Sequence, residues 1–159
     1  MTKGLSHCLD YQCYWNDAKM PTLAGQVVER EGPGDNTSEI GDNRDRRIRN
    51  GTYPLAIQDG NHYKTYNYTK DDTTPKPGIL LKKTSERTAI LLHPGSDYLS
   101  SVGCLNPATG LTNANSNIDF TESRSRVIAI IDAIKSKLGA RFPKSGTIPD
   151  TVIFIEGEP

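Results

Sequence analysis

The chain is short of aromatic residues, with one tryptophan and three phenylalanines, and only 35% of its 159 residues are hydrophobic. Its apolar runs are brief, and none approaches the roughly 20 residues needed to cross a bilayer, so membrane insertion through helices is not expected. It also lacks an excess of either charge. Nineteen basic residues balance nineteen acidic ones, which leaves no global field to draw in nucleic acid or an anionic membrane. The N-terminal stretch MTKGLSHCLDYQCYW holds a lysine but no apolar h-region; the expectation is a chain made in the cytoplasm without a secretory signal. Cysteine is scarce and odd in number: Cys8, Cys13 and Cys104. Cys8 and Cys13 read first as plain strand residues. A Cys8–Cys13 bridge ranks second and would leave Cys104 as a free thiol. A metal site with His7 ranks last, because a fourth ligand is missing and the spacing fits no zinc pattern. No cofactor is expected.

What is present is a series of short strand patterns separated by Gly, Pro, Asn and Asp. The length suits a single domain over residues 1–159. In Cys8 to Trp15, Leu9, Tyr11, Cys13 and Trp15 alternate with polar partners, which predicts a half-buried strand with that set inward. Further strands are predicted over Thr22 to Arg30, Thr52 to Ile57, His62 to Tyr68, Ile79 to Leu81, Ala89 to Leu92 and Val152 to Ile155. Pro54 puts its strand at an edge or a bulge. Residues 31–50 read as a long polar loop in which Arg44, Arg46, Arg47 and Arg49 are interleaved with acids; Glu29 before it is flagged as a strand-end acid. One helix is predicted over Glu122 to Leu138 from the stripe Val127, Ile130, Ile131, Ile134, Leu138, with Thr121 as cap and Gly139 as stop. Strands at this spacing with one helix predict a mainly β fold, an antiparallel β-sandwich with one helix in the C-terminal half.

The most informative stretch is Ala89 to Pro107, AILLHPGSDYLSSVGCLNP. Four apolar residues read as a buried strand that delivers His93 at its end. A polar connection leads to Ser101-Val102-Gly103-Cys104-Leu105-Asn106. A thiol and an imidazole eleven positions apart meet if the loop folds back, which is the minimum for nucleophilic catalysis. The plain alternative is a buried structural cysteine beside a histidine that ends a strand. His62 is a second candidate base, although a histidine beside a turn is more often a surface residue.

His93-x-Gly95 followed by Ser101-x-Gly103-Cys104-x-Asn106 resembles the active-site signature of L,D-transpeptidase catalytic domains. Val102 stands where the familiar enzymes carry a second histidine, and the spacer is shorter. Both departures are similar to those of short single-histidine domains and of type VI secretion effectors of this type. Gly51-Thr52-Tyr53 also resembles a Gly-Thr-Tyr strand start that these domains share, with Ile48-Arg49-Asn50 replacing the usual isoleucine–proline. The resemblance runs from about Gly51 to Pro107.

The resemblance implies an L,D-transpeptidase-like domain in which Cys104 is the nucleophile and His93 the base. The Pro94 carbonyl would orient the imidazole, the amides of Gly103 and Cys104 would hold the oxyanion, and Ser101 and Asn106 would support the loop. Gly95, Tyr98 and Tyr53 would contact substrate. It implies action on the stem peptides of peptidoglycan, as an L,D-carboxypeptidase, an L,D-transpeptidase or a D-amino-acid exchanger. As a secreted antibacterial effector the protein would act in the periplasm after delivery by a secretion machine or lysis, and its producer would need an immunity protein. The competing expectation is a non-catalytic β-sandwich module that holds a cell-wall glycopeptide in the same cleft.

Overall fold

The computed structural model describes residues 6–30, 48–85, 87–96, 103–112 and 116–156, apart from the side chains of 6–9, 29 and 30. The expectations placed on Ser101, Tyr98, Arg44, Arg46 and Arg47, and on the side chains of His7, Cys8 and Glu29, lie outside the described residues. Among these residues nine strands and one α-helix follow in chain order: β1 (Ser6–Trp15), β2 (Ala18–Arg30), β3 (Gly51–Ile57), β4 (Tyr63–Lys64), β5 (Lys76–Pro77), β6 (Ile79–Leu81), β7 (Leu91–Leu92), β8 (Asn106–Ala108), α1 (Phe120–Leu138) and β9 (Thr147–Ile155). Among the described residues the fold is mainly β, in two antiparallel sheets and one short parallel pair, with a single α-helix.

β1 and β2 form a long antiparallel hairpin whose tight turn places Asn16 and Asp17 at positive φ. Asn and Asp tolerate that conformation because their short polar side chains bond locally. β8 adds to the free edge of β2, with Val28 opposite Asn106 and Gln26 opposite Ala108. The second sheet has the order β7-β6-β3-β9, also antiparallel throughout. The β1 alternation has the predicted sense: Tyr11 and Cys13 pack against the core while Tyr14 is exposed. It also decides the cysteines. Cys8 and Cys13 lie five residues apart on one strand, about 16 Å at a strand's rise per residue, too far for a disulfide. The Cys13 thiol is free.

Pro54 is not at an edge, since β3 lies between β6 and β9. It sits at a register shift between Pro54 and Ala56 in the β3–β9 pairing, where a missing amide is tolerated. The predicted strand over His62 to Tyr68 is reduced to Tyr63–Lys64, which pairs in parallel with Lys76–Pro77. Asn67 at φ 54° breaks the extended path. The Thr65 side chain takes over from the ladder: its Oγ1 accepts from Gln58 N at 2.8 Å and donates to Gly78 O at 2.7 Å. The expected strand from Ala89 likewise begins only at Leu91, because Ala89 has φ 53°.

α1 is stopped as the sequence indicates, with Gly139 at φ 56° and its N–H donating to Lys135 O. Its start differs: Asp119, not Thr121, is the cap, and its Oδ1 accepts from Glu122 N at 2.9 Å. Val127, Ile130, Ile131 and Leu138 are buried and Ile134 packs beside them. Each fully buried aliphatic side chain contributes roughly 2 kcal/mol. They meet Val27 of β2, Leu55 of β3, Ile79 and Leu81 of β6 and Leu92 of β7, so both sheets and the helix share one core. No helix among the described residues is long and apolar enough to cross a membrane.

Candidate active site

The segment Gly103–Ala108 passes between the two sheets and pairs with both. Toward β2 it forms β8. Toward β7, Leu105 N donates to Leu91 O at 2.9 Å and Leu105 O accepts from His93 N at 3.0 Å, a parallel bridge of Leu105 with Leu92. Side chains alternate across a strand. Leu105 and Leu92 therefore face the core, while Cys104 and Asn106 share the other face with Leu91 and His93. The fold brings the thiol and the imidazole onto adjacent strands, one diagonal step apart.

The His93 ring is held on three sides. Its Nδ1 lies 2.8 Å from Pro94 O. A carbonyl only accepts, so Nδ1 carries the proton and Nε2 is the lone-pair nitrogen. Asn106 Nδ2 donates to His93 O at 2.9 Å and touches Nδ1 at 3.4 Å. Tyr63 packs its ring on the imidazole with centroids 4.4 Å apart. His93 is 4% exposed. Burial pushes its pKa down to about 4; the Pro94 hydrogen bond resists that shift and the nearby charge of Lys76 adds to it. At neutral pH the ring is uncharged.

Cys104 is 8% exposed. Its Sγ accepts the Leu91 amide at 3.4 Å and lies 3.7 Å from Ala89 O, filling the ladder position a backbone carbonyl would otherwise occupy. Among the described residues no hydrogen bond runs between Sγ and the imidazole. Tyr63, which packs on His93, has its phenol pKa raised, first by burial and then by its interaction with Cys104.

Gly103 precedes the thiol at φ 80°, a conformation that favours glycine. A Cβ built there would collide with the Arg87 guanidinium, 2.8 Å from its Cζ. The remaining expected residues have settled roles. Gly95 is buried and its N–H donates to Ser123 Oγ of α1 at 3.1 Å, which ties the loop after His93 to the helix. Tyr53 is not a cleft residue: it is 5% exposed within the core and its hydroxyl donates to Arg49 O at 2.6 Å. His62 is exposed, and its described contact is a backbone one, with its carbonyl accepting from Lys76 N at 2.8 Å.

Two contributors escaped the sequence reading. Tyr63 lay inside a stretch read as an ordinary alternating strand. Arg87 lay in a segment read as a turn, and nothing local marks either one. Beside the His93 loop, a cavity of about 420 Å³ is lined by Asp72, Lys76, Ser96, Asp119, Phe120 and Thr121. Lys76 Nζ sits 4.9 Å over the Phe120 ring there, and Arg124 pairs with Asp72 at 2.9 Å. No group of three or more His, Cys, Asp and Glu side chains suited to a metal ion occurs among the described residues. The chain matches no family model, no curated protein and no solved structure.

Proposed function

We propose that the protein is a cysteine-dependent acyl-transfer enzyme acting on the stem peptides of peptidoglycan, with Cys104 as nucleophile and His93 as base. The observation that supports this best is the Leu91–Leu105–His93 ladder. It fixes both groups on one face while the Pro94 carbonyl commits Nδ1 and leaves Nε2 to accept a proton. Rotating Cys104 about χ1 moves Sγ between staggered wells and gives up the weak contacts in which Sγ accepts from Leu91 N and donates to Ala89 O. The thiol proton passes to Nε2, Sγ bonds to the peptide carbonyl carbon, and the oxygen takes the electron pair beside the Gly103 and Cys104 amides. Collapse expels the amine with a proton from His93. Water or a second amine then resolves the thioester, giving a carboxypeptidase or a transpeptidase outcome. The choice of cell-wall peptides rests on the signature around His93 and Cys104. Delivery by a secretion machine, with an immunity protein in the producer, belongs to the same proposal.

The test is incubation with purified muropeptides followed by mass spectrometry. Loss or exchange of the terminal D-alanine is expected, falling at least about a hundredfold in His93→Gln and vanishing in Cys104→Ala. Muropeptides left intact by the folded wild type, or turned over by Cys104→Ala, refute it. One observation favours a second reading, a non-catalytic glycopeptide-binding module: Sγ already serves as a ladder acceptor for Leu91. Binding without product, unchanged in Cys104→Ala, is the result that reading requires.

A further inference from the structure

The cavity of about 420 Å³ beside the His93 loop contains charges of both signs, and they are unevenly matched. Asp72 is paired with Arg124 at 2.9 Å. Asp119 Oδ1 accepts from Glu122 N at 2.9 Å, so this carboxylate is set against the first turn of α1, where negative charge is favoured. Lys76 has no such partner. It is half-buried, and its ammonium rests 4.9 Å over the Phe120 ring. An ammonium carries three donors, and among the described residues this one makes no hydrogen bond and no ion pair. Two carboxylates line the same cavity and neither is spent on it. A ring face occupies one side of an ammonium and leaves the other side to an anion.

The cavity adjoins the base through two of its walls. Lys76 lies opposite Tyr63 in the β4–β5 register, and the Tyr63 ring packs on the imidazole at 4.4 Å. Ser96 follows His93 by three residues. Its carbonyl accepts from Ile118 N at 2.8 Å, and Gly95 N–H is bound to Ser123 Oγ at 3.1 Å. The strand and the loop that hold the imidazole therefore also wall the cavity, and both are tied down. Its volume lies in the range of small-molecule sites.

We propose that this cavity is a binding subsite for an amino-acid carboxylate of the peptide substrate, held by Lys76 Nζ through a charge-assisted hydrogen bond. The C-terminal carboxylate and an acidic side chain of a stem peptide share that chemistry. The subsite binds and orients; no bond is made or broken in it. The peptide as its source rests on the reading of Cys104 and His93 given above, whereas the preference for a carboxylate rests on Lys76.

Two measurements on the intact protein test it. In the first, N-acetyl-D-alanine and its amide are titrated while NMR follows the Lys76 side chain and the amides of Ser96 and Thr121. The acid should shift these signals saturably and the amide should not. Lys76→Gln should weaken the acid about tenfold or more, and Lys76→Arg should keep most of the affinity. Equal shifts from acid and amide, no saturable shift, or unchanged affinity in Lys76→Gln overturns the proposal. In the second, binding to Cys104→Ala is compared for muropeptides with free carboxylates, with the terminal one amidated and with a side-chain one amidated. The carboxylate that occupies the subsite is the one whose amidation weakens binding as much as Lys76→Gln does, with no further loss when the two are combined. If neither amidation weakens binding, the proposal falls. A saturable, Lys76-dependent response to the acid in a protein that leaves muropeptides intact upholds the carboxylate site and removes the enzyme reading. Muropeptide turnover with no dependence on Lys76 does the reverse.

Discussion

Acidification should destabilise this protein through one histidine, and the amount follows from its burial. His93 has an ordinary value of 6.5 and a folded value of about 4. The unfolded chain therefore binds a proton through that interval when the native state does not, and stability rises with pH there. The contribution is fully present above pH 6.5 and is lost as pH falls toward 4. Its ceiling is about 3 kcal/mol, of which roughly 2 kcal/mol is lost between about pH 7 and pH 5, before most carboxylates titrate. With a urea m-value of about 2 kcal/mol/M for a chain of this size, that loss moves the midpoint by about 1 M. The assay is urea unfolding at both pH values for the wild type and His93→Gln. His7 and His62 are common to both chains and cancel in the difference. The variant should lack the 2 kcal/mol component, whatever its absolute stability. Parallel losses in the two chains would refute the claim that His93 is buried and neutral. If it is, only about one ring in a thousand is protonated at neutral pH.

Two further outcomes are expected. Gly103→Ala should cost about 2–4 kcal/mol in chemical denaturation, from the positive φ and from displacing a buried guanidinium. Combined with Arg87→Ala it should cost less than the sum of the two by at least about 1 kcal/mol, and additivity within about 0.5 kcal/mol would contradict the close approach. Expressed in a bacterium, the protein should be harmless without an added export signal and should lyse cells when sent to the periplasm. Toxicity in the cytoplasm, or periplasmic toxicity that survives Cys104→Ala, counts against the cell-wall proposal.

The fold was legible in the sequence where periodicity was strong and long. The β1 alternation and the α1 stripe each spread a burial pattern over enough residues to state their own direction, and Gly139 marks its stop because few other residues take positive φ cheaply. Short elements hid. β7 has two residues, and its parallel bridge to Leu105 depends on a chain reversal that no local pattern encodes. Tyr63 to Tyr68 carries a period of two, yet its pairing stops after Tyr63–Lys64, and Thr65 spends its hydroxyl on two backbone partners. Asp119 and Thr121 are both acceptable cap residues; geometry chose the one whose carboxylate reaches the Glu122 amide. At the site, His93 and Cys104 were visible as chemistry. Arg87 was not, because a lone arginine in a polar turn looks the same whether it points outward or into the protein.

The Gly103–Ala108 segment pairs with β2 along one side and with β7 along the other, so it acts as the fastening between two sheets. A thiol carried on such a fastening cannot be uncovered by a local fluctuation of its own strand. Freeing Leu105 means parting β7 from β2, which is close to unfolding the whole core. The amides of His93 and Leu105 should then be among the slowest in the protein to exchange with deuterium, protected to nearly the global limit. The same join ties heritable change at the site to change in the core: a substitution that shifts either sheet also shifts the relation of thiol to imidazole.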